Sequence, residues 1–340
     1  MKTSSSSMTD VGPVSPAPFS IVRRDDELRV PDISVVIVSW NCRTFLEECL
    51  ESLGCGVDRP YEVIVVDNAS TDGSPEAVAR RFPWVTLIHS GVNLGFAKGN
   101  NLGIRHSRGR YIALVNSDVK VLAGCLDQLA EFLASNPEVG MVGPRIFHGD
   151  GRQQSSCRRF PSLWNNACEV FGLNKMFRHS AFFAGEHMFY FSYDRVRDVD
   201  VLVGCFIMAR RTAVAEFGLL DEEFFLYCED VDWSWRCGRA GWRVMFYPGA
   251  EAVHYCGGSS TNDPLRFTVA QARSRLRLWH KHQSQPMVFG FVMLATIGHG
   301  IRIFFATMKG ILNRAGRQRT ADTVRTRIGC LRVLWGRYSA

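Results

Sequence analysis

The chain has 340 residues, a formal net charge of +7 and 46% hydrophobic residues, enough for one large domain with an appendage or for two domains. Residues 264–340 carry 14 Lys and Arg against one acid, Asp322, so residues 1–263 sum to −6. The basic character belongs to the tail; this argues against nucleic-acid binding as the main role and suggests an anionic membrane surface as the tail's partner.

Residues 1–30 read as a disordered leader with a charged linker; residues 1–20 are rich in Ser and Pro and lack the apolar centre of a secretory signal. The 11 cysteines are scattered, odd in number and never form a CxxC pair. That pattern indicates a reducing compartment and no zinc site.

Ile33–Ser39, ISVVIVS, is a continuous β-branched run that suits a strand buried on both faces of a parallel sheet. It ends in Trp40-Asn41, and residues 44–53 follow with helical spacing. Residues 62–66, EVIVV, repeat the strand pattern and end at Asp67. A helix is predicted over 75–82 and a short strand over 84–89. The Gly/Asn-rich turn NLGFAKGNNLG, 93–103, runs into a helix. Residues 111–115, YIALV, form a further strand ending in Asn116-Ser117-Asp118, and 122–135 is helical. This alternation predicts a doubly wound α/β sheet. Such sheets bind ligands beyond the carboxyl ends of their strands, where Asn41, Asp67 and Asp118 all fall. The glycine fingerprint of dinucleotide sites and the P-loop are both missing, so a nucleotide is expected to be held by side chains and a metal ion.

Residues 145–198 are irregular and aromatic-rich, an expected surround for the site. Residues 200–210 return to strand character, with Gly204 inside permitting a close approach or a bulge. The stretch FFLYCEDVDWSWRCG, 224–238, brings Glu229, Asp230 and Asp232 beside Trp233, Trp235 and Arg236, straight after an apolar run. Carboxylates at the edge of a core are costly unless paired or used. A helix starting near Glu229 would favour ionised acids in its first turn. An ionised carboxylate between aromatic walls suits a general base. The plainer alternative is an acidic helix start with Asp232 and Arg236 as an i,i+4 ion pair. A strand over 242–247 leads to His254, a candidate ligand ahead of a Gly-Gly-Ser-Ser loop.

The stretches SVVIVSWN, EVIVVDNASTDGS, NLGFAKGNNLGI, YIALVNSD, GCFIMARR, FFLYCEDVDWSWRCGRAGW and HYCGGSS occur in this order over about residues 32–260. Together they resemble the family 2 glycosyltransferases with the GT-A fold, most closely the rhamnosyltransferase-like members. The resemblance implies an α/β, doubly wound, mostly parallel sheet with a nucleotide diphosphate sugar site. It implies inverting transfer of a sugar, rhamnose among the candidates, to a cell-surface polysaccharide or lipid-linked glycan precursor. Asp67 would hold the base or ribose, helped by residues near Asn41. Asn93, Gly95, Phe96 and Asn100 would line the nucleotide and sugar pocket. Asn116-Ser117-Asp118 stands at the family's DxD metal motif, and His254 would lie near the diphosphate or its metal. Asp230, with Glu229 beside it, would be the catalytic base. The divalent cation, Mg²⁺ or Mn²⁺, is inferred: Asn116 replaces the motif's first acid, but Mg²⁺ often uses only one or two carboxylates. The rival readings are a non-catalytic carbohydrate- or nucleotide-binding module and a sugar nucleotidyltransferase.

The expected division is a leader over 1–30, a GT-A domain over 31–260 and a basic, apolar helical tail over 261–340. Residues 283–301 carry no Lys, Arg, Asp or Glu, with apolar segments over 287–297 and 303–308. That is marginal for a spanning helix of about 20 apolar residues, and Gly290, Gly298 and Gly300 weaken it further. Interfacial association at the cytoplasmic face is the expectation, ahead of a span or a soluble cap.

Overall fold

The β-branched runs become the centre of one ten-stranded sheet. The computed structural model describes residues 20–22, 30–54, 56–255, 264–312 and 317–336. Most of the expected leader, and the Gly-Gly-Ser-Ser loop after His254, lie outside the described residues. Ile33–Ser39 pairs in parallel with Tyr61–Asp67 and Tyr111–Val115, and Tyr61–Asp67 pairs in parallel with Thr86–His89. These four strands are the parallel half that the sequence indicated.

Beyond them the sheet is mixed. Phe206–Arg210 runs antiparallel between Tyr111–Val115 and Val139–His148. Arg243–His254 is parallel to Val139–His148, with Val119–Val121 antiparallel on its other edge. The antiparallel insertions bring His254 back beside Asp118, since His254 pairs with Val119.

Both faces of the sheet are covered, which is why its strands are apolar without alternation. Val35 and Ile37 face Leu46, Leu50 and Leu129 from the helices Arg43–Leu53 and Cys125–Ser135. Val36 and Leu114 face Ala97, Val214 and Trp233 from Phe96–His106, Arg211–Phe217 and Glu229–Arg239. Gly103 lets Phe96–His106 lie close on the sheet, because a Cβ there would come within 2.3 Å of Val36 Cγ1. The segment expected to be irregular contains the end of Val139–His148 and the helices Leu163–Val170 and Leu173–Met176.

The tail forms three helices, Pro264–His282, Gln285–Leu312 and Arg317–Leu334. They share a small core of Trp279, Val288, Phe291, Val292 and Leu334. The two apolar segments of the sequence are one 28-residue helix. Two of its glycines are contact points: a Cβ at Gly290 would lie 3.0 Å from Leu163, and one at Gly298 would lie 3.0 Å from Val170, whereas one at Gly300 would meet nothing within 4 Å.

The first tail helix is fastened to the domain by charge. Arg275 pairs with Glu186 at 2.7 Å and Arg277 pairs with Glu223. Lys281 meets Asp221 and Asp232, both at 2.7 Å, and His282 Nε2 lies 2.8 Å from Asp232 Oδ1. Arg275, Arg277 and Lys281 therefore have a use other than the anionic surface expected for them. Part of the charge asymmetry between tail and domain is an internal docking contact.

Candidate active site

The strand ends and the loops that follow them are laced together by side chains. Asn41 stands at φ +49 just after Ile33–Ser39. Its N–H donates to Ser70 Oγ at 3.0 Å, and its Oδ1 accepts from Thr71 N–H at 2.7 Å. Asp67 is buried at the end of its strand, accepts from Ser70 N–H at 3.3 Å and lies 3.8 Å from His89 Nδ1. Burial raises its pKa above the usual carboxylate value, against the pull of the Ser70 hydrogen bonds and His89.

Asn68, given no separate role from the sequence, is the joint of this half. Its Nδ2 donates to Gly95 O at 3.0 Å and its Oδ1 accepts from Leu94 N–H at 3.0 Å. Asn93 Oδ1 accepts from Gly95 N–H at 2.9 Å, closing the turn on itself. Phe96 N–H donates to Phe225 O at 2.8 Å, which docks the turn on the segment leading to Asp230. Asn100 is buried, and its amide donates to Phe96 O at 2.9 Å. Its position therefore supports the turn from behind.

Gly95 has a positive φ of +79, and a Cβ there would lie 2.4 Å from Phe225 O. Gly95→Ala is expected to weaken nucleoside diphosphate binding by about tenfold or more, because strain of about 1–3 kcal/mol is added where the turn must fit. Calorimetric titration checks this, and an unchanged affinity would take the turn out of the binding site.

The second half gathers on Gly204-Cys205. Gly204 N–H donates to Asp230 Oδ2 at 2.9 Å, while Val231 N–H donates to Asp230 Oδ1 at 2.8 Å. Asn116 N–H donates to Cys205 O at 2.9 Å. The carboxylate of Asp230 and the Asn116-Ser117-Asp118 motif thus hang from adjacent residues of one chain segment. Gly204 earns its place sterically, since a Cβ would lie 3.2 Å from Asp230 Cβ. Cys42 Sγ donates to Ser117 Oγ at 3.1 Å and ties this half to the Asn41 turn.

Asp118 is buried, with His254 Nε2 at 3.2 Å from its Oδ1. His254 Nδ1 lies 3.1 Å from Gln154 Oε1, a partner in the stretch read as irregular. Burial works against a charged imidazole here, but the hydrogen bond with Asp118, aided by Cys205, raises its pKa to about 11. Asn116 Oδ1 is buried with no hydrogen-bond partner among the described residues.

Glu229, Asp230 and Asp232 start the helix Glu229–Arg239, as expected, yet they part in environment. The turn before it holds Tyr227 and Cys228 at φ +69 and +67, a left-handed conformation unfavourable for non-glycine residues and concentrated at functional sites. Asp230 is partly exposed. Glu229 is buried, and burial, with the neighbouring Asp230 charge, pushes its pKa well above the carboxylate range. Asp232 is fully buried and forms the Arg236 pair of the plainer alternative at 2.8 Å. That pair is one part of a larger cluster with Lys281 and His282. The stacking of Trp235 on His282, centroids 4.5 Å apart, completes it.

The parallel sheet half, the loops at its strand ends and the overall arrangement are those of a GT-A glycosyltransferase. Residues 34–200 match Glycosyl transferase family 2. The chain is 31% identical over 257 residues to N-acetylglucosaminyl-diphospho-decaprenol L-rhamnosyltransferase of Mycobacterium tuberculosis, covering 71% of this chain and 82% of that protein. The chain belongs to glycosyl transferase family 2 and is an inverting glycosyltransferase. It is also 24% identical over 233 residues to rhamnosyltransferase WbbL of Escherichia coli, covering 66% of this chain and 83% of that protein. Its fold is similar to that of a mannosyltransferase from Pyrobaculum calidifontis in complex with GDP-Man and Mn²⁺, with TM-score 0.55, 18% identity and coverage of 92% and 89% of the two chains.

Proposed function

We propose that the chain transfers a sugar, rhamnose first among the candidates, from a nucleoside diphosphate donor to a hydroxyl of a lipid-linked glycan precursor. The observation that carries this reading is Asp230, partly exposed, with one carboxylate oxygen aligned by Gly204 N–H and the other by Val231 N–H. Asp230 takes the proton of the acceptor hydroxyl as its oxygen bonds to the anomeric carbon. The bond from that carbon to the diphosphate breaks on the opposite side, so the configuration inverts. The name of the Mycobacterium relative, with its diphospho-decaprenol acceptor, supports a lipid-linked acceptor.

The residues at the metal motif fit a divalent cation, Mg²⁺ or Mn²⁺. Asn116 Oδ1 is an acceptor without a partner among the described residues, beside the Asp118 carboxylate and His254. One carboxylate with few further protein ligands suits Mg²⁺ when substrate phosphates complete the shell. Asp118 and Asn116 would hold the ion, with His254 available once its proton leaves. The bound cation would offset negative charge on the departing diphosphate. Asp118→Ala is expected to abolish metal-dependent donor binding. Full activity in excess chelator would make the reaction metal-independent and leave Asp118 another role.

The exposed apolar surface supports a site at the membrane. Gln285–Ile311 is long and apolar enough to cross a bilayer. However, it packs along Leu163–Val170 of the domain through Gly290 and Gly298. Its outer positions Phe289, Phe304, Phe305 and Ile311 are exposed, as are Phe171, Met176, Phe177 and Phe182 on the adjoining segment. Lys175 and Arg178 stand among the latter. We place this surface in the headgroup region of an anionic leaflet, on the cytoplasmic side, where basic and aromatic groups suit the interface. High salt should then release part of the protein from anionic vesicles, whereas a span would need detergent. A chain that stays soluble beside anionic vesicles at low salt is not a membrane protein. The whole reading is tested by screening nucleotide sugars for transfer to lipid-linked acceptors. Turnover of none of them sinks it.

A further inference from the structure

A cavity lies between the domain and the tail, and it shares Asn93, Gly95 and Phe96 with the donor turn. The first and third tail helices close this cavity of ≈ 1370 Å³ against the edge of the donor loops. Its domain wall includes Trp40, Asn68, Asn93, Gly95 and Phe225. Pockets for ordinary small ligands run to about 300–1,000 Å³, so this one has room for a longer molecule.

The two tail walls share a pattern. Val269, Arg273 and Arg277 recur at helical spacing on the first tail helix, and Arg325, Ile328 and Arg332 do so on the third. Residues three and four apart share a helix face, so each helix turns a mixed apolar and guanidinium stripe toward the cavity. Four arginines line it among the described residues, against one acid, Glu223, which pairs with Arg277. Arg325 and Arg332 are exposed on the third helix, and Ile328 between them is 39% exposed. An apolar trough carrying a net positive charge takes an anionic amphiphile. The guanidinium fork matches phosphate oxygens in particular.

Position selects among anionic amphiphiles. The cavity reaches Phe225 and Leu226, five and four residues before Asp230, and the turn that carries Gly95. A phosphate headgroup here can direct an attached sugar toward the base, whereas a phospholipid such as phosphatidylglycerol carries no sugar to direct. We propose that this cavity holds the isoprenoid chain and diphosphate of the lipid-linked acceptor, with Arg325 and Arg332 on the diphosphate. The inference rests on the lipid-linked acceptor of the proposed function, and it assigns that acceptor a place.

The test uses the full-length chain in phosphatidylcholine nanodiscs with farnesyl diphosphate as probe. Farnesyl diphosphate should bind more tightly than farnesol or inorganic pyrophosphate. Its affinity should fall by at least about tenfold in the Arg325→Ala/Arg332→Ala variant, the scale for losing charge-assisted hydrogen bonds. Because both arginines are exposed, the variant is expected to fold; Ile328→Trp, which narrows the cavity, should weaken binding independently. In turnover, the double variant should raise KM for the lipid-linked acceptor by a similar factor without changing KM for the nucleotide sugar. Farnesyl diphosphate displaced by a nucleoside diphosphate alone would make the cavity part of the donor site and overturn the inference. Equal displacement by phosphatidylglycerol would make it a phospholipid site and do the same. Transfer with an unchanged acceptor KM in the double variant overturns the cavity assignment and leaves the proposed function standing. Absence of transfer to any lipid-linked acceptor overturns that function, while the probe titration still decides the cavity.

Discussion

Asp230→Asn is expected to lower sugar transfer by about 10²-fold or more, the usual scale for losing general acid–base help. The substitution preserves size and removes basicity. The two N–H groups that hold the carboxylate, from Gly204 and Val231, can each donate to only one oxygen of an amide. The amide NH₂ would face one of them, so some loss of alignment is expected beside the loss of basicity. Donor binding should change little, because the Asn41, Asp67 and Asn93 contacts belong to other strand ends. The measurement is single-turnover transfer beside calorimetric titration of the nucleoside diphosphate. Near-normal turnover would remove Asp230 from the mechanism. If nucleotide affinity collapses together with rate, Asp230 instead supports the fold through Gly204. Glu229→Gln serves as the comparison: burial already disfavours its charged form, so it should cost far less turnover than Asp230→Asn.

Asp232→Ala is expected to cost about 3 kcal/mol or more of stability, since it removes one partner from a buried, multiply paired charge cluster. Asp232 is fully buried, and three side chains converge on it: the cations Arg236 and Lys281 at 2.8 and 2.7 Å, and the His282 imidazole at 2.8 Å. Two of the three come from the first tail helix, so the loss should appear first as detachment of the tail. Limited proteolysis between domain and tail, together with thermal melting, checks this. Tail protection equal to that of the unaltered chain would mean that Arg275 and the apolar cluster around Trp279 suffice. The cluster also sets an acid limit. Burial alone would raise the Asp232 pKa, but His282, Lys281 and Arg236 bring it down to about 2. A carboxylate whose folded pKa is depressed contributes stability above its unfolded value, near 4, and loses it as pH falls through about 2. The unaltered chain should therefore lose tail protection between about pH 4 and pH 2, and Asp232→Ala should flatten that dependence.

Much of the catalytic domain was legible because its signals are local. The run ISVVIVS fits a strand covered on both faces, and Val35 and Val36 do point into separate apolar layers. The polar residues at Asn41, Asp67 and Asp118 follow such runs, and strand ends meet because parallel strands point the same way. The glycines of NLGFAKGNNLG indicated a tight turn, and Gly95 has the positive φ and the close contact that require one. The family motifs carried the assignment of Asp230 over Asp232; in the fold Asp230 is partly exposed and Asp232 is buried in its ion-pair cluster.

What tertiary structure alone decided lies in contacts between residues far apart in the chain. Gly204-Cys205 joins Asp230 to the Asn116 motif across separations that periodicity does not report. The basic groups of Pro264–His282 read as a membrane-facing set, because composition counts charges without showing their partners. In the fold, three of these groups, Arg275, Arg277 and Lys281, meet Glu186, Glu223, Asp221 and Asp232. Gly290 and Gly298 counted against a spanning helix in the sequence; in the fold both lie inside the unbroken helix Gln285–Leu312. The propensity cost of a glycine is about 1 kcal/mol, and here each glycine lets Leu163 or Val170 approach the helix closely enough to offset it. Sequence by itself determined the strands, the polar residues at their ends and the family. The docking of the tail, and with it the cavity beside the donor loops, was decided by packing between segments whose partners lie more than 40 residues away.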